Sequence, residues 1–159
     1  MKAVILSAGQ GRRLLPLTAE APKCLLMIEE TTIVEWQINQ LLACGVEQVT
    51  VVVGFGAEKV EHLLANRYAR ERVHTLYNPF YTVTDNLVSC WVARSQMRDD
   101  FVLLNGDTVF ESALLQRVLH APAKPVTLTT DSKPAYDSDD MKVSLRGEQL
   151  VREIGRAHV

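Results

Sequence analysis

The residues best suited to chemistry gather in Leu6–Lys23, LSAGQGRRLLPLTAEAPK. Gly9 and Gly11 stand two apart after an apolar run, Arg12 and Arg13 follow, and Lys23 closes the stretch. A backbone free of side chains at such positions can aim its N–H groups at an anion. Arg12, Arg13 and Lys23 surround that cradle with positive charge, which suits a polyphosphate. A second group is Asn105-Gly106-Asp107, an acid just past an apolar strand with a glycine that permits close approach. One such carboxylate, together with phosphate oxygens and waters, is what Mg²⁺ prefers. The alternative reading of Asp107 is a helix cap or turn residue. A third group is Asn78, Asp85, Asn86 and Ser89, whose side chains can pair with an amide-bearing base edge. Asn78-Pro79 is equally an ordinary turn signal, and Asp85 or Asn86 could simply cap a helix.

Two well-known phosphate loops do not fit. The dinucleotide fingerprint needs a third glycine where this chain has Leu14, and an acid after the second strand where it has Gly54. A P-loop needs Gly-Lys-Ser/Thr, and no such run exists. His62, His74, His120 and His158 show no spacing suggestive of a metal site or triad, and are expected at the surface or at helix ends. Trp36 and Trp91 fall on apolar helix faces and are expected in the core, and Glu29-Glu30 reads as a solvated turn.

These groups need a scaffold that brings them together. Ala3–Leu6, Val49–Val53, Val73–Tyr77 and Phe101–Leu104 read as strands, the first, second and fourth buried. Helices are expected from Thr32 (as cap) to Ala43, over Ala57–Tyr68, from Asp85 or Asn86 to Gln96, and over Glu111–Leu119. Val126–Thr129 reads as a fifth strand, and Met141–Leu145 with Gln149–Glu153 as a hairpin about Arg146-Gly147. Alternation of this kind predicts an α/β fold: an open, mostly parallel Rossmann-like sheet flanked by helices, with a C-terminal hairpin. In such sheets ligands bind at the carboxyl ends of the strands. Ser7–Lys23, Asn78–Asn86 and Asn105–Asp107 all follow strand ends, so they converge on one edge.

Bulk properties narrow the function classes. With 159 residues, 47% hydrophobic and a net charge of −2, the chain reads as one soluble globular domain. That charge gives no support to a general nucleic-acid or membrane-surface role. No apolar run approaches the ~20 residues of a membrane span, and MKAVILSAG lacks the form of a signal peptide. Cys24, Cys44 and Cys90 are scattered and odd in number, so a reducing cytoplasm is the expected compartment.

Leu6, Ala8, Gly9, Gly11, Arg13, Leu14, Pro16, Leu17, Thr18, Pro22 and Lys23 together spell L-x-A-G-x-G-x-R-L-x-P-L-T…P-K. This resembles the signature of nucleotidyltransferases that join a nucleoside monophosphate to a phosphorylated sugar or alcohol. Asn78-Pro79-Phe80-Tyr81, Asp85-Asn86-x-x-Ser89 and Pro22-Lys23-Cys24-Leu25 look more like the phosphocholine, inositol-phosphate and aminoethylphosphonate cytidylyltransferase group than the glucose-1-phosphate group. The resemblance implies a fold of the nucleotide-diphospho-sugar transferase type. It implies catalytic roles for Arg13 and Lys23, with Arg13 on the triphosphate and Lys23 near the α-phosphate. It implies nucleotide contacts at Leu6, Ala8, Gly9, Gly11, Arg12, Asn78, Asp85, Asn86, Ser89 and Gly106, and Mg²⁺ at Asp107. Arg12 stands where a small polar residue is expected, so its role is the least supported by the pattern. Lys142, in Asp139-Asp140-Met141-Lys142-Val143, is implied to hold the acceptor phosphate, the alternative being an exposed strand lysine.

The expected partners are an NTP, CTP favoured, and a phosphorylated small alcohol, phosphonate or sugar. A sugar-1-phosphate uridylyl- or thymidylyltransferase and a non-catalytic nucleotide-binding module are the alternatives. Members of the group are longer and carry a second metal-binding aspartate, which nothing after Asp140 matches, so the single domain is expected to be incomplete at its C-terminus. Glu153–Val159 can be encoded by DNA containing a widely used sequencing-library adapter, and genuine sequence is expected to end near Arg152 or Glu153. Natural coding is the alternative, since Ile154-Gly155-Arg156 echoes an Ile-Gly-basic run of the group.

Overall fold

The computed structural model describes residues 1–136, 140, 142–147 and 149–155, the last stretch by its backbone. The chain divides into two compact units, Met1–Pro122 and Ala123–Val159.

The first unit begins with β1 (Lys2–Ser7) and a short hairpin of β2 (Met27–Ile28) and β3 (Thr31–Thr32). It continues through α1 (Ile33–Ala43), β4 (Gln48–Val53), α2 (Ala57–Arg67) and β5 (Val73–Tyr77). It ends with α3 (Asn86–Val92), β6 (Phe101–Asn105) and α4 (Ser112–Leu119). Four strands form a parallel sheet in the order β5-β4-β1-β6. The expected open parallel sheet is therefore present.

Local sequence accounts for most of these elements. The Thr32 side chain accepts from the Glu35 N–H while the Glu35 carboxylate accepts from the Thr32 N–H, a complete capping box. Two otherwise orphaned backbone donors are satisfied at the entrance to α1. β1 and β4 are buried on both faces, which is why they read as continuous runs of apolar and β-branched residues. On one face Ala3, Ile5, Val49, Val51 and Val53 pack with Val34, Ile38 and Leu41 of α1, Val60 and Leu64 of α2, and Leu115 of α4. On the other, Val4, Leu6, Ala8 and Val52 pack with Ala93 just after α3. At about 1.5–3 kcal/mol per buried aliphatic side chain, this two-sided core holds the short helices more firmly than their propensities could.

Several expectations need correction. β6 is partly exposed, with Phe101 41% and Leu103 44% accessible, because as the outer strand it has a neighbour on one side. α3 stops at Val92 and a 3-10 turn covers Arg94–Gln96. The turn tightens around Ala93, which packs on the sheet, and Gln96 accepts from the Lys2 ammonium. Trp91 is 60% exposed, with the Arg94 guanidinium 3.9 Å from its ring centroid. The inward positions are Cys90 and Ala93. His74 lies within β5, half-buried and 3.0 Å from the Thr50 hydroxyl. Glu29 turns through a positive φ and both glutamates are exposed, as expected of a solvated turn.

In the second unit, residues 126–129 form no strand, and Val126 is 80% exposed. β-Branched composition favours a strand only where a ladder and a packing face are available. The hairpin is present as β7 (Lys142–Arg146) and β8 (Gln149–Gly155), antiparallel, with Gly147 at φ 62° in the turn. Asp139, Met141 and Arg156–Val159, including His158, lie outside the described residues. Among the described residues no helix is long and apolar enough to cross a membrane.

Candidate active site

β1 and β6 are neighbours, so their carboxyl ends deliver two loops to the same place. Leu6 is in register with Asn105, and the Gly106 N–H donates to the Leu6 carbonyl at 2.8 Å. A Cβ at Gly106 would stand 2.2 Å from Ser7 Oγ and 2.8 Å from the Leu6 carbonyl oxygen. Only glycine allows this approach. The next residue, Asp107, then meets Lys23: Nζ lies 2.6 Å from Oδ2 across 84 positions of sequence. Both side chains are part-exposed, so the pair adds about 0–1 kcal/mol. Its significance is positional.

The loop after β1 is stitched by its own residues. Gly11 takes φ 74°, and a Cβ there would press to 3.0 Å from Lys23 Cβ. Thr18 is fully buried and its hydroxyl donates to the Gly11 carbonyl at 3.0 Å. The Gln10 amide donates to the Thr18 carbonyl at 3.3 Å. Arg12 and Arg13 sit exposed on a 3-10 turn, Arg12–Leu14, and Lys23 opens another, Lys23–Leu25. Leu6 and Ala8 are buried, so each meets its surroundings there through backbone: the Ala8 carbonyl accepts from the Phe55 N–H at 2.9 Å. Gly9 is exposed with open space where a Cβ would be. Beside the loop lies a cleft of about 410 Å³ lined by Gln10, Arg12, Phe55, Tyr81 and Thr82. Cys24 is next to Lys23 in sequence, but it is buried, and burial pushes its thiol up from its ordinary value, away from the nucleophilic thiolate form.

The third sequence group splits in two. Asn78 and Ser89 are buried and bonded to each other at 3.0 Å, while Asn78 Oδ1 accepts from the Phe80 N–H. These two shape the loop after β5. Asp85 and Asn86 are its exposed members. Asp85 occupies the N-cap position of α3 without a side-chain cap bond. Asn86 donates to Asn105 Oδ1 at 3.0 Å, joining the loops after β5 and β6. Lys142 belongs to the second unit, where its ammonium donates to the Asp140 carbonyl at 3.3 Å.

Sequence reasoning passed over Gln37, Trp36 in a polar role, and the Phe55, Tyr81 and Thr82 lining. Gln37 is fully buried on α1 and donates to the carbonyls of Asn105 and Thr108, both at 2.8 Å. The Trp36 indole N–H donates to the Phe110 carbonyl at 2.7 Å. The available signal for Gln37 was an amide interrupting the apolar stripe of α1. Among the described residues no three His, Cys, Asp or Glu side chains gather as a metal cage. The single Asp107 carboxylate still fits Mg²⁺, because that ion is commonly held by one or two carboxylates plus phosphates and water.

The arrangement can therefore receive a polyphosphate on a glycine-turned loop that carries the cations, with one carboxylate converging from the neighbouring strand. The chain is similar to several known proteins. The chain is 38% identical over 122 residues to the CMP-5'-(3-aminopropyl)phosphonate synthase of Streptomyces rubellomurinus, covering 77% of this chain and 19% of that one. It is 29% identical over 112 residues to the choline-phosphate cytidylyltransferase of Streptococcus pneumoniae, covering 70% and 47%. The chain thus spans less than half the length of either relative. In fold it is similar to the inositol-1-phosphate CTP transferase of T. maritima, with a TM-score of 0.71 at 21% identity over 98% of this chain and 63% of that one. Residues 3–150 match the MobA-like NTP transferase domain. The cradle, the strand-end acid and this near-complete match together make the chain a member of the MobA-like NTP transferase family.

Proposed function

We propose that the chain supplies the nucleotide-binding part of a Mg²⁺-dependent nucleotidyltransferase. It moves a nucleoside monophosphate, CMP in preference, from an NTP to a phosphorylated small alcohol or phosphonate. The observation that carries this reading is the apposition of Lys23 and Asp107 beside the Gly9–Arg13 turn. The names of the relatives, a CMP-phosphonate synthase and a choline-phosphate cytidylyltransferase, support the choice of CTP and acceptor class.

In the reaction an acceptor phosphate or phosphonate oxygen bonds to the α-phosphorus of the NTP. The bond from that phosphorus to the bridging oxygen breaks, and pyrophosphate leaves. Two polyanions must meet, so catalysis is largely positioning and charge stabilisation. The Ala8–Arg13 backbone and Arg13 hold the triphosphate, and Lys23 neutralises charge around the α-phosphate. Bound polyphosphate gives Lys23 a second anionic partner beside Asp107. Asp107 would hold Mg²⁺, which supplies further neutralisation of phosphate charge. Arg12 and Tyr81 line the cleft next to the loop, where a base or ribose can lie.

Pyrophosphate release should be assayed with each NTP against phosphocholine, inositol 1-phosphate, 2-aminoethylphosphonate and glucose 1-phosphate. Turnover with CTP and one of the first three acceptors is expected of a full-length transferase carrying this sequence, and Mg²⁺-dependent CTP binding of the chain itself. Preference for UTP or dTTP with glucose 1-phosphate would replace this reading by the sugar-nucleotide one. Absence of Mg²⁺-dependent nucleotide binding would remove the transferase reading altogether.

A further inference from the structure

We propose that Gln37 is a positioning residue for Asp107, so that α1 sets the geometry of the carboxylate. The inference rests on the reading of Asp107 given above. Asp107 lies in a turn between Asn105 and Thr108, and the carbonyls of those two residues are the two acceptors of the Gln37 amide, each at 2.8 Å. The hold is therefore on both sides of the acid. Two positions on, the Phe110 carbonyl is held by the indole of Trp36, the neighbour of Gln37 on the helix. From the opposite side the turn is fixed by the Gly106 N–H on the Leu6 carbonyl. The turn is gripped between α1 and β1, and the Asp107 side chain is left projecting toward Lys23.

The orientation of the Gln37 amide is determinate. Rotating it by half a turn would set its oxygen against two carbonyl oxygens and abolish both bonds. In the bonded orientation Oε1 is buried and has no partner among the described residues. A buried acceptor without a donor lowers stability. An apolar side chain of similar volume would avoid that penalty, so packing does not account for an amide at this position. The two donors to the Asp107 turn do. Groups that orient a metal-binding carboxylate in this way commonly matter as much to ion affinity as the ligand's own surroundings.

The test compares the unsubstituted chain with Gln37→Met, which keeps length and volume but has no donor, and Gln37→Asn, which keeps the amide one carbon shorter. Two affinities are measured for each. One is for Mn²⁺, followed by its paramagnetic resonance signal at saturating CTP, and the other is for CTP without metal. Circular dichroism and thermal melts confirm that each variant is folded at the temperature used. Gln37→Met is expected to weaken Mn²⁺ about 10–100-fold while metal-free CTP affinity changes less than about twofold, with Gln37→Asn between. In the same variant, amide exchange at Gly106 and Thr108 should speed up while that of β4 stays constant. If Gln37→Met does not fold, Gln37→Asn carries the comparison. Equal Mn²⁺ affinity in folded variant and parent overturns the inference alone. An equal loss of both affinities also overturns it, since that is the mark of a general structural role. If the unsubstituted chain takes no Mn²⁺ with CTP, the functional reading falls and this inference falls with it.

Discussion

The loops after β1 and β6 solve opposite problems. The first is long, and its chemistry is backbone and cationic. It is held mainly by its own members, with Thr18 bonded to Gly11 and Gln10 to Thr18, and is tied to the segment after β4 by the Phe55 N–H on the Ala8 carbonyl and the Lys59 ammonium on the Glu20 carbonyl. The second is short and offers one carboxylate. It is held from outside, by Gln37 and Trp36 of α1 and by the Leu6 carbonyl of β1. A loop that supports itself carries its explanation in a contiguous stretch of sequence. A loop supported by other elements does not, and its correct geometry depends on residues that show no chemistry of their own.

Removing function from either loop should have the largest effect. Asp107→Asn and Arg13→Ala are each expected to lower turnover about 10²–10³-fold, the usual scale for one charge-stabilising group. Arg12→Ala should cost less than about tenfold, because Arg12 lies toward the cleft and off the motif pattern. Equal losses for the two arginines, measured by pyrophosphate release, would break the assignment of the triphosphate to Arg13.

Two glycine substitutions separate the loops next. Gly106→Ala places a Cβ 2.2 Å from Ser7 Oγ and should destabilise the fold by about 1–3 kcal/mol. Gly9→Ala meets nothing within 4 Å and should leave the unfolding midpoint unchanged. It intrudes instead on the open side of the cradle, and CTP affinity should fall about tenfold, the equivalent of one charge-assisted hydrogen bond. Unfolding and binding titrations on both variants check the pair. A stable Gly106→Ala would show that β1 and β6 need not approach so closely.

The smallest expected effect lies off the site, on β5. Burial, with smaller contributions from Lys2 and Arg70, holds the His74 imidazole below its ordinary value of 6.5. The unfolded chain then binds this proton more readily than the folded one. The stability concerned is complete above pH 6.5 and is lost as pH falls through the folded value. Urea midpoints at about pH 7.5 and about pH 5.5 should diverge in the parent and converge in His74→Asn.

Legibility in the sequence followed the same division. Thr32 marked the start of α1 because an N-cap is a local device, and the structure adds Glu35 to complete a capping box. β1 and β4 were plain because two-sided burial leaves runs of apolar and β-branched residues, with Thr50 the one polar side chain inside them. The glycine turn and Lys23 were visible as a motif, and the strand-end rule brought Asp107 to the same edge. Trp91 and residues 126–129 were misjudged because composition says what a side chain prefers, not whether a neighbour exists to cover it. The role of Gln37 was illegible for a related reason, although the amide itself stood out in an apolar stripe. Its partners are backbone carbonyls 68 and 71 positions away, and a carbonyl has no signature in a sequence.

The position of β1 inside the sheet has a consequence for how the molecule forms. β1 has β4 on one side and β6 on the other, with Lys2 in register with Gln48 and with Phe101. The β1–β4 pair can close as soon as the first third of the chain is available. The β1–β6 pair must wait for a closure spanning most of the first unit, and such long-range parallel pairing is slow. The glycine cradle is thus available early, whereas Lys23 and Asp107 meet at the last strand addition of the sheet. Any event that delays β6 leaves a chain with a formed anion loop and an open edge on its central strand, a species prone to pair with the wrong neighbour.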